Sequence, residues 1–224
     1  MEPPRATARL LTSEEMRQGL DALDEEIGKS ELLMSVAPIR LITVGGSLAV
    51  LLCGNRTSST DIDCILDPQV AEDSDYAEEW SKVVATAADA VHLEDDWLND
   101  QLGIFVRRDK RKMLFLESVQ QDIAIYEGKN VVIYAGRLDW ALERKIRRVA
   151  YATERRQVKN VDTTDAAAII KLMVSRDDYA TPLSFEFIRG LNYNGFDVAP
   201  TDDAIREVAR YYKETYGDDG IIEQ

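Results

Sequence analysis

Val44-Gly45-Gly46-Ser47, followed after a spacer of thirteen residues by Asp61-Ile62-Asp63, is the stretch on which the reading of this chain turns. Ile39-Arg40-Leu41-Ile42-Thr43-Val44 follows Pro38 and is rich in aliphatic residues, which predicts a buried strand. The two glycines then permit a turn with positive φ and a close backbone approach to a ligand. A short helix is predicted to open near Ser47 and to pack Leu48, Leu51 and Leu52. Its free amides and dipole favour an anion, and the Ser47 hydroxyl adds a donor. Asn55 to Thr60 reads as a polar turn and Asp61 to Leu66 as the next strand. Residues two apart on a strand project to the same face, so Asp61 and Asp63 present paired carboxylates. Such oxygen ligands suit Mg²⁺, which proteins commonly bind together with substrate phosphates. Either half of the pattern alone is weak, since Gly-Gly is most often a tight turn and Asp-x-Asp a solvated edge. The order and spacing of both are more specific.

Working outward, residues 1–11 read as a loose leader with Pro3-Pro4. Thr12 to Ile27 is predicted helical, with Thr12 and Glu15 forming a capping box and Met16, Leu20, Leu23 and Ile27 an apolar stripe. Asp75 to Val91 is predicted helical with Trp80, Val83, Val84 and Ala87 facing the core. After a turn over Asp95 to Asp100, short strands are expected at Leu102 to Val106, Leu114 to Leu116, Asp122 to Tyr126 and Val131 to Tyr134. Helices are expected over Leu138 to Glu154, Thr164 to Val174, Phe185 to Leu191 and Thr201 to Tyr216, with Gly195 and Pro200 punctuating the last pair. The fold expectation is α+β. It comprises a leader and helix (1–30), a small mixed sheet with flanking helices (31–136) and a C-terminal helical subdomain (137–224).

Composition narrows the function classes. The net charge is −14 with a pI near 4.6, so no strong overall affinity for nucleic acid is expected. Local basic runs survive that average, one from Arg107 to Lys112 and another through Arg144, Lys145, Arg147, Arg148, Arg155, Arg156 and Lys159. Cys53 and Cys64 form neither a disulfide framework nor a zinc pattern, and the single His92 rules out a site needing two histidines. With no apolar run of membrane-spanning length and no signal-peptide pattern, the expectation is a reducing cytoplasmic setting and no membrane partner.

The glycine turn, spacer and Asp-Ile-Asp resemble the signature of the polymerase-beta-type nucleotidyltransferase superfamily. Within it, the chain resembles the toxin-like branch related to abortive-infection (AbiEii-type) enzymes, which includes uncharacterised fungal and bacterial members. Supporting segments are Arg56-Thr57-Ser58-Ser59-Thr60, Asp96-Trp97-Leu98-Asn99-Asp100, Leu138 to Arg148 with Lys145, Asp162-x-x-Asp165, and the ending from Tyr212 to Ile221. The resemblance implies Mg²⁺-dependent transfer of a nucleoside monophosphate from an NTP to an RNA or protein acceptor. It implies that Gly45, Gly46 and Ser47 hold the triphosphate, with Arg56 contacting phosphates from the turn. Asp61 and Asp63 would hold two Mg²⁺, Lys145 would reach a phosphate, and Asp165 or Asp162 would assist acceptor activation. The superfamily usually adds a third carboxylate from a later strand, for which Glu117 and Asp122 are the candidates.

Each assignment has a plainer counterpart. Asp162 equally suits a helix N-cap. Lys145 equally suits a surface cation on an amphipathic helix, and Arg56 a simple partner for an acid. Trp97 reads better as a packing residue than as a base-stacking platform, and His92 as a boundary residue. An alternative function is a nucleotide-binding or interaction protein that keeps the fold without catalysis. A third is a small nucleotidyltransferase that modifies a partner ribonuclease.

Overall fold

The computed structural model describes residues 9–151, 156–193, 195 and 198–223, with the side chains of 156–159 outside that description. The predicted helix end at Glu154 and most of the leader lie outside the described residues, as do Arg155 and the side chains of Arg156 and Lys159. The fold is mixed α and β, built on a five-stranded mixed sheet. Its strands in chain order are β1 (Ile39–Thr43), β2 (Ile62–Leu66), β3 (Leu98–Asn99), β4 (Ala124–Glu127) and β5 (Val131–Ala135). They lie in the order β3-β2-β1-β5-β4. β1 is antiparallel to β2 and parallel to β5, while β2 is parallel to β3.

Helices cover both faces. On one face, α1 (Ser13–Ile27) and α2 (Ser74–Val91) bury Met16, Leu20, Leu23, Val84 and Ala87 against Ile39, Leu41, Ile62, Cys64, Val131 and Ile133. α1 starts where its sequence says it should. Thr12 accepts from the Glu15 amide at 3.3 Å, and Glu15 accepts from the Thr12 amide at 2.9 Å. This holds the Glu15 carboxyl down to about 2. α2 ends at His92, whose left-handed φ of 59° lets its amide reach the Ala88 and Asp89 carbonyls, making His92 an exposed boundary residue.

The other face packs α3 (Arg108–Gln120), α4 (Leu138–Tyr151), α5 (Arg156–Val174) and α6 (Asp202–Tyr216). Ile42 and Ile65 from the sheet share one apolar cluster with Trp140, Ile146, Ala166, Ile170, Val208 and Tyr212 from the tail. The sheet residues and the C-terminal helices therefore close a single core between them.

Several expectations change. Leu114, Phe115 and Leu116 belong to α3 rather than a strand, because Leu114, Phe115 and Ser118 form a buried helical face and Leu116 faces solvent. Leu102 to Val106 is not a strand either; Gln101–Phe105 is a 3₁₀ turn. Leu102 and Val106 are buried while Ile104 and Phe105 are exposed, the spacing of a helical turn rather than a two-residue alternation. Ser58–Ser59, expected within a polar turn, pairs antiparallel with Leu11–Thr12. α5 begins well before Thr164, so Asp162 lies inside the helix and is not its N-cap.

Candidate active site

The antiparallel register of β1 and β2 brings the two halves of the opening pattern together. Thr43 stands opposite Cys64, so the end of β1 and its glycine turn lie beside the start of β2 and its carboxylates. Gly45 has φ 91° and ψ −135°, a conformation open to glycine and costly for other residues. No atom would meet a Cβ there, so the turn is open on that side. Gly46 is different: a Cβ would collide with the hydroxyl and Cβ of Ser59. Its glycine lets Ser59 pack.

A short helical turn, Gly46–Leu48, follows and widens into a π-helical turn over Ala49–Cys53. Leu48 is fully buried, while Leu51 and Leu52 are half-buried. The Ser47 hydroxyl is also buried. Thr43 Oγ1 donates to the Asp63 carbonyl at 2.6 Å, so the 2.7 Å contact between Thr43 and Ser47 uses the Ser47 proton. Ser47 therefore fastens the turn to β2 through Thr43, and only its backbone amide is left for an anion.

Asp61 and Asp63 are half-buried and lie on the sheet face covered by the C-terminal helices, with Ile65 two residues further on. Burial raises the Asp63 carboxyl, and the Asp61 charge raises it further, against Arg144 and Arg148 from α4. Two carboxylates that repel in this way fit a divalent cation, which reverses the sign of their environment. The strand beside β2 is β3, and its register sets Asn99, not an acid, opposite Asp63. Asn99 donates to Asp61 at 3.3 Å and to the Asp96 carbonyl at 3.1 Å, and it accepts from the Gln101 amide at 3.0 Å. Asp100 lines a cleft of about 740 Å³ with Leu66, Arg108 and Arg111.

Neither sequence candidate for a third carboxylate joins the pair. Glu117 lies on α3, 3.5 Å from Arg137. Asp122 is exposed in the turn before β4, with φ 56°. Among the described residues, no group of three acids, histidines or cysteines is placed to hold a metal.

Lys145, Asp162 and Asp165 come together beneath α4 and α5. Lys145 Nζ is 2.6 Å from Asp165 and 3.1 Å from Asp162, with all three side chains at least 95 % buried. Arg148 reaches Asp162 at 2.9 Å. Arg56 pairs with Asp165, and Asn55 donates to the same carboxylate at 2.8 Å. The loop after the glycine turn is thus tied to the C-terminal helices through one buried acid. Lys145 is no surface cation, and Arg56 does pair with an acid.

Trp97 is buried as a packing residue. Cys53 lies near this network, and burial, then the Asp165 charge, push its thiol up to about 12 against Lys145. Arg144 was legible only as part of a basic run. It is held over the rings of Phe105 and Trp140 at 5.4 and 5.9 Å. In comparisons with known proteins, no family model, curated protein or solved structure matches the chain.

Proposed function

We propose that the chain is a Mg²⁺-dependent nucleotidyltransferase that moves a nucleoside monophosphate from an NTP to an RNA or protein acceptor, on a nucleotidyltransferase core. The observation that carries this reading is the β1–β2 register, which sets the glycine turn beside Asp61 and Asp63. An anion cradle next to a carboxylate pair is what transfer of a phosphoryl-type group requires.

Asp61 and Asp63 would hold Mg²⁺, which supplies charge neutralisation for the triphosphate and a Lewis acid at the reacting oxygens. The chain's own groups do the positioning. The amides after Gly45 face the phosphates, and Thr43 and Ser47 hold that turn rigidly against β2. Asp165 positions Arg56 and Lys145 together, and Asp162 positions Arg148. The turn amides, fixed by Thr43 and Ser47, would stabilise charge developing on the departing pyrophosphate with little reorganisation.

The test is incubation with each α-labelled NTP, Mg²⁺ and total cellular RNA or protein, following label into the acceptor. Asp61→Ala and Asp63→Ala are expected to abolish transfer while circular dichroism and melting show an intact fold. Unchanged turnover in either variant rejects the assignment. Asn99, a neutral residue opposite Asp63, favours one second reading: a nucleotide-binding protein without catalysis. NTP binding with no label transferred from any base would select it.

A further inference from the structure

Four cations stand around the proposed nucleotide site, and three of them are committed. Arg56 and Lys145 are paired with Asp165, and Arg148 with Asp162. Arg144 differs. Among the described residues it makes no ion pair and no hydrogen bond, and its guanidinium lies over the rings of Phe105 and Trp140. Aromatic stacking fixes the plane of a guanidinium without using any of its five N–H donors. None of these donors is taken up by another group among the described residues.

Its place is informative. Phe105 belongs to the 3₁₀ turn that packs beside β2, and Arg144 lies on α4 between Trp140 and Arg148. Asp63 is the strongest charge supporting Arg144 against the cost of its own burial. An arginine cannot discharge by losing its proton, so this positive charge is permanent. The position opposite Asp63 on the neighbouring strand holds the neutral Asn99, with its amide already bonded to Asp61. A second divalent ion would thus meet a fixed positive charge and, among the described residues, no third carboxylate grouped with the pair.

Resting on the nucleotidyltransferase reading above, we infer that this site holds one divalent ion, on Asp61 and Asp63, and that the Arg144 guanidinium is the second positive charge and binds the NTP phosphates directly. The balance of the site then closes with one dication against two carboxylates, leaving Arg144 free to bind the triphosphate. Phe105 and Trp140 are positioning residues for it.

The test uses the full chain with Mn²⁺ and non-hydrolysable α,β-methylene analogues of the four NTPs. Bound Mn²⁺ is counted by electron paramagnetic resonance, and analogue affinity is measured by calorimetry. One Mn²⁺ per chain is expected at saturation. Arg144→Ala is expected to weaken the analogue at least tenfold while the count stays at one. Arg144→Met keeps an unbranched side chain beside the two rings and carries the test should the alanine variant not fold. Two Mn²⁺ per chain in the natural protein, or unchanged analogue affinity in a folded Arg144 variant, would overturn the inference and leave the nucleotidyltransferase reading intact. Failure of the natural protein to bind any analogue would overturn both.

Discussion

Lys145 and Asp165 meet at 2.6 Å with both side chains almost wholly withdrawn from solvent. Burying such a pair is costly to assemble and more costly to break, because removing one partner strands the other charge. Asp165→Ala would leave half-buried Arg56 without its acid and Lys145 with Asp162 alone. A loss of about 3–5 kcal/mol is expected in urea unfolding. A Lys145→Met, Asp165→Leu double variant should recover much of that loss. If the recovered protein still fails to transfer label, the pair has a chemical role beyond holding the fold.

Asp63 makes a pH prediction with a definite sign. Its folded carboxyl is raised above 3.8 by burial and then by Asp61. The folded state therefore holds the Asp63 proton more tightly than the unfolded chain does, so this group's favourable contribution is fully present below about pH 4 and fades as pH rises through the raised value. Asp63→Asn removes the penalty. Thermal melts should show the variant gaining on the natural protein between pH 4 and pH 7, and matching it at or below pH 4. A gain of the same size at both pH values would show that charge is not its cause.

The two glycines of the turn should fail differently. Gly45→Ala meets no neighbour but must hold φ near 91°, which costs on the order of 1–3 kcal/mol wherever it is placed. Gly46→Ala collides with Ser59 and disturbs the pairing of Ser58–Ser59 with Leu11–Thr12. Adding Ser59→Gly should restore much of the stability of Gly46→Ala and none of that of Gly45→Ala. Urea denaturation of the four variants checks this directly.

The thiols give a reagent-level test. Cys53 is raised to about 12, and the fully buried Cys64 also lies well above its usual value because of burial. Neither should react with a thiol-specific aromatic disulfide at pH 8 in the folded protein, since the thiolate is the nucleophile. Both should react in denaturant. Rapid native labelling of Cys53 would mean that the buried Asp165 network opens readily.

Much of this arrangement can be read from the chain because the relevant signals are local. The Thr12 capping box, the aliphatic run before Gly45 and the two-residue spacing of Asp61 and Asp63 each depend on neighbours a few positions away. What stays hidden depends on register and on choice among equivalents. Asn99 meets Asp63 only through the crossover of α2, and a two-residue strand carries too little alternation to reveal it. Arg144, Lys145 and Arg148 are neighbours in one basic run, and nothing in their order says which is buried and which is left unpaired. Leu114 to Leu116 is too short to separate strand from helix, and burial of Ser118 one turn later decides it.

The division of the apolar cluster has a consequence for dissecting the molecule. Ile42 and Ile65 share one buried cluster with Trp140, Ile170 and Tyr212, and Asp165 holds Asn55 and Arg56. A fragment ending at residue 136 would keep every residue of the glycine–aspartate pattern. It would also expose the part of the sheet's second face that α4, α5 and α6 cover, and release the loop after the turn. The glycine–aspartate pattern is therefore shorter than the smallest piece able to hold it in place, and a minimal folded unit has to extend through α6.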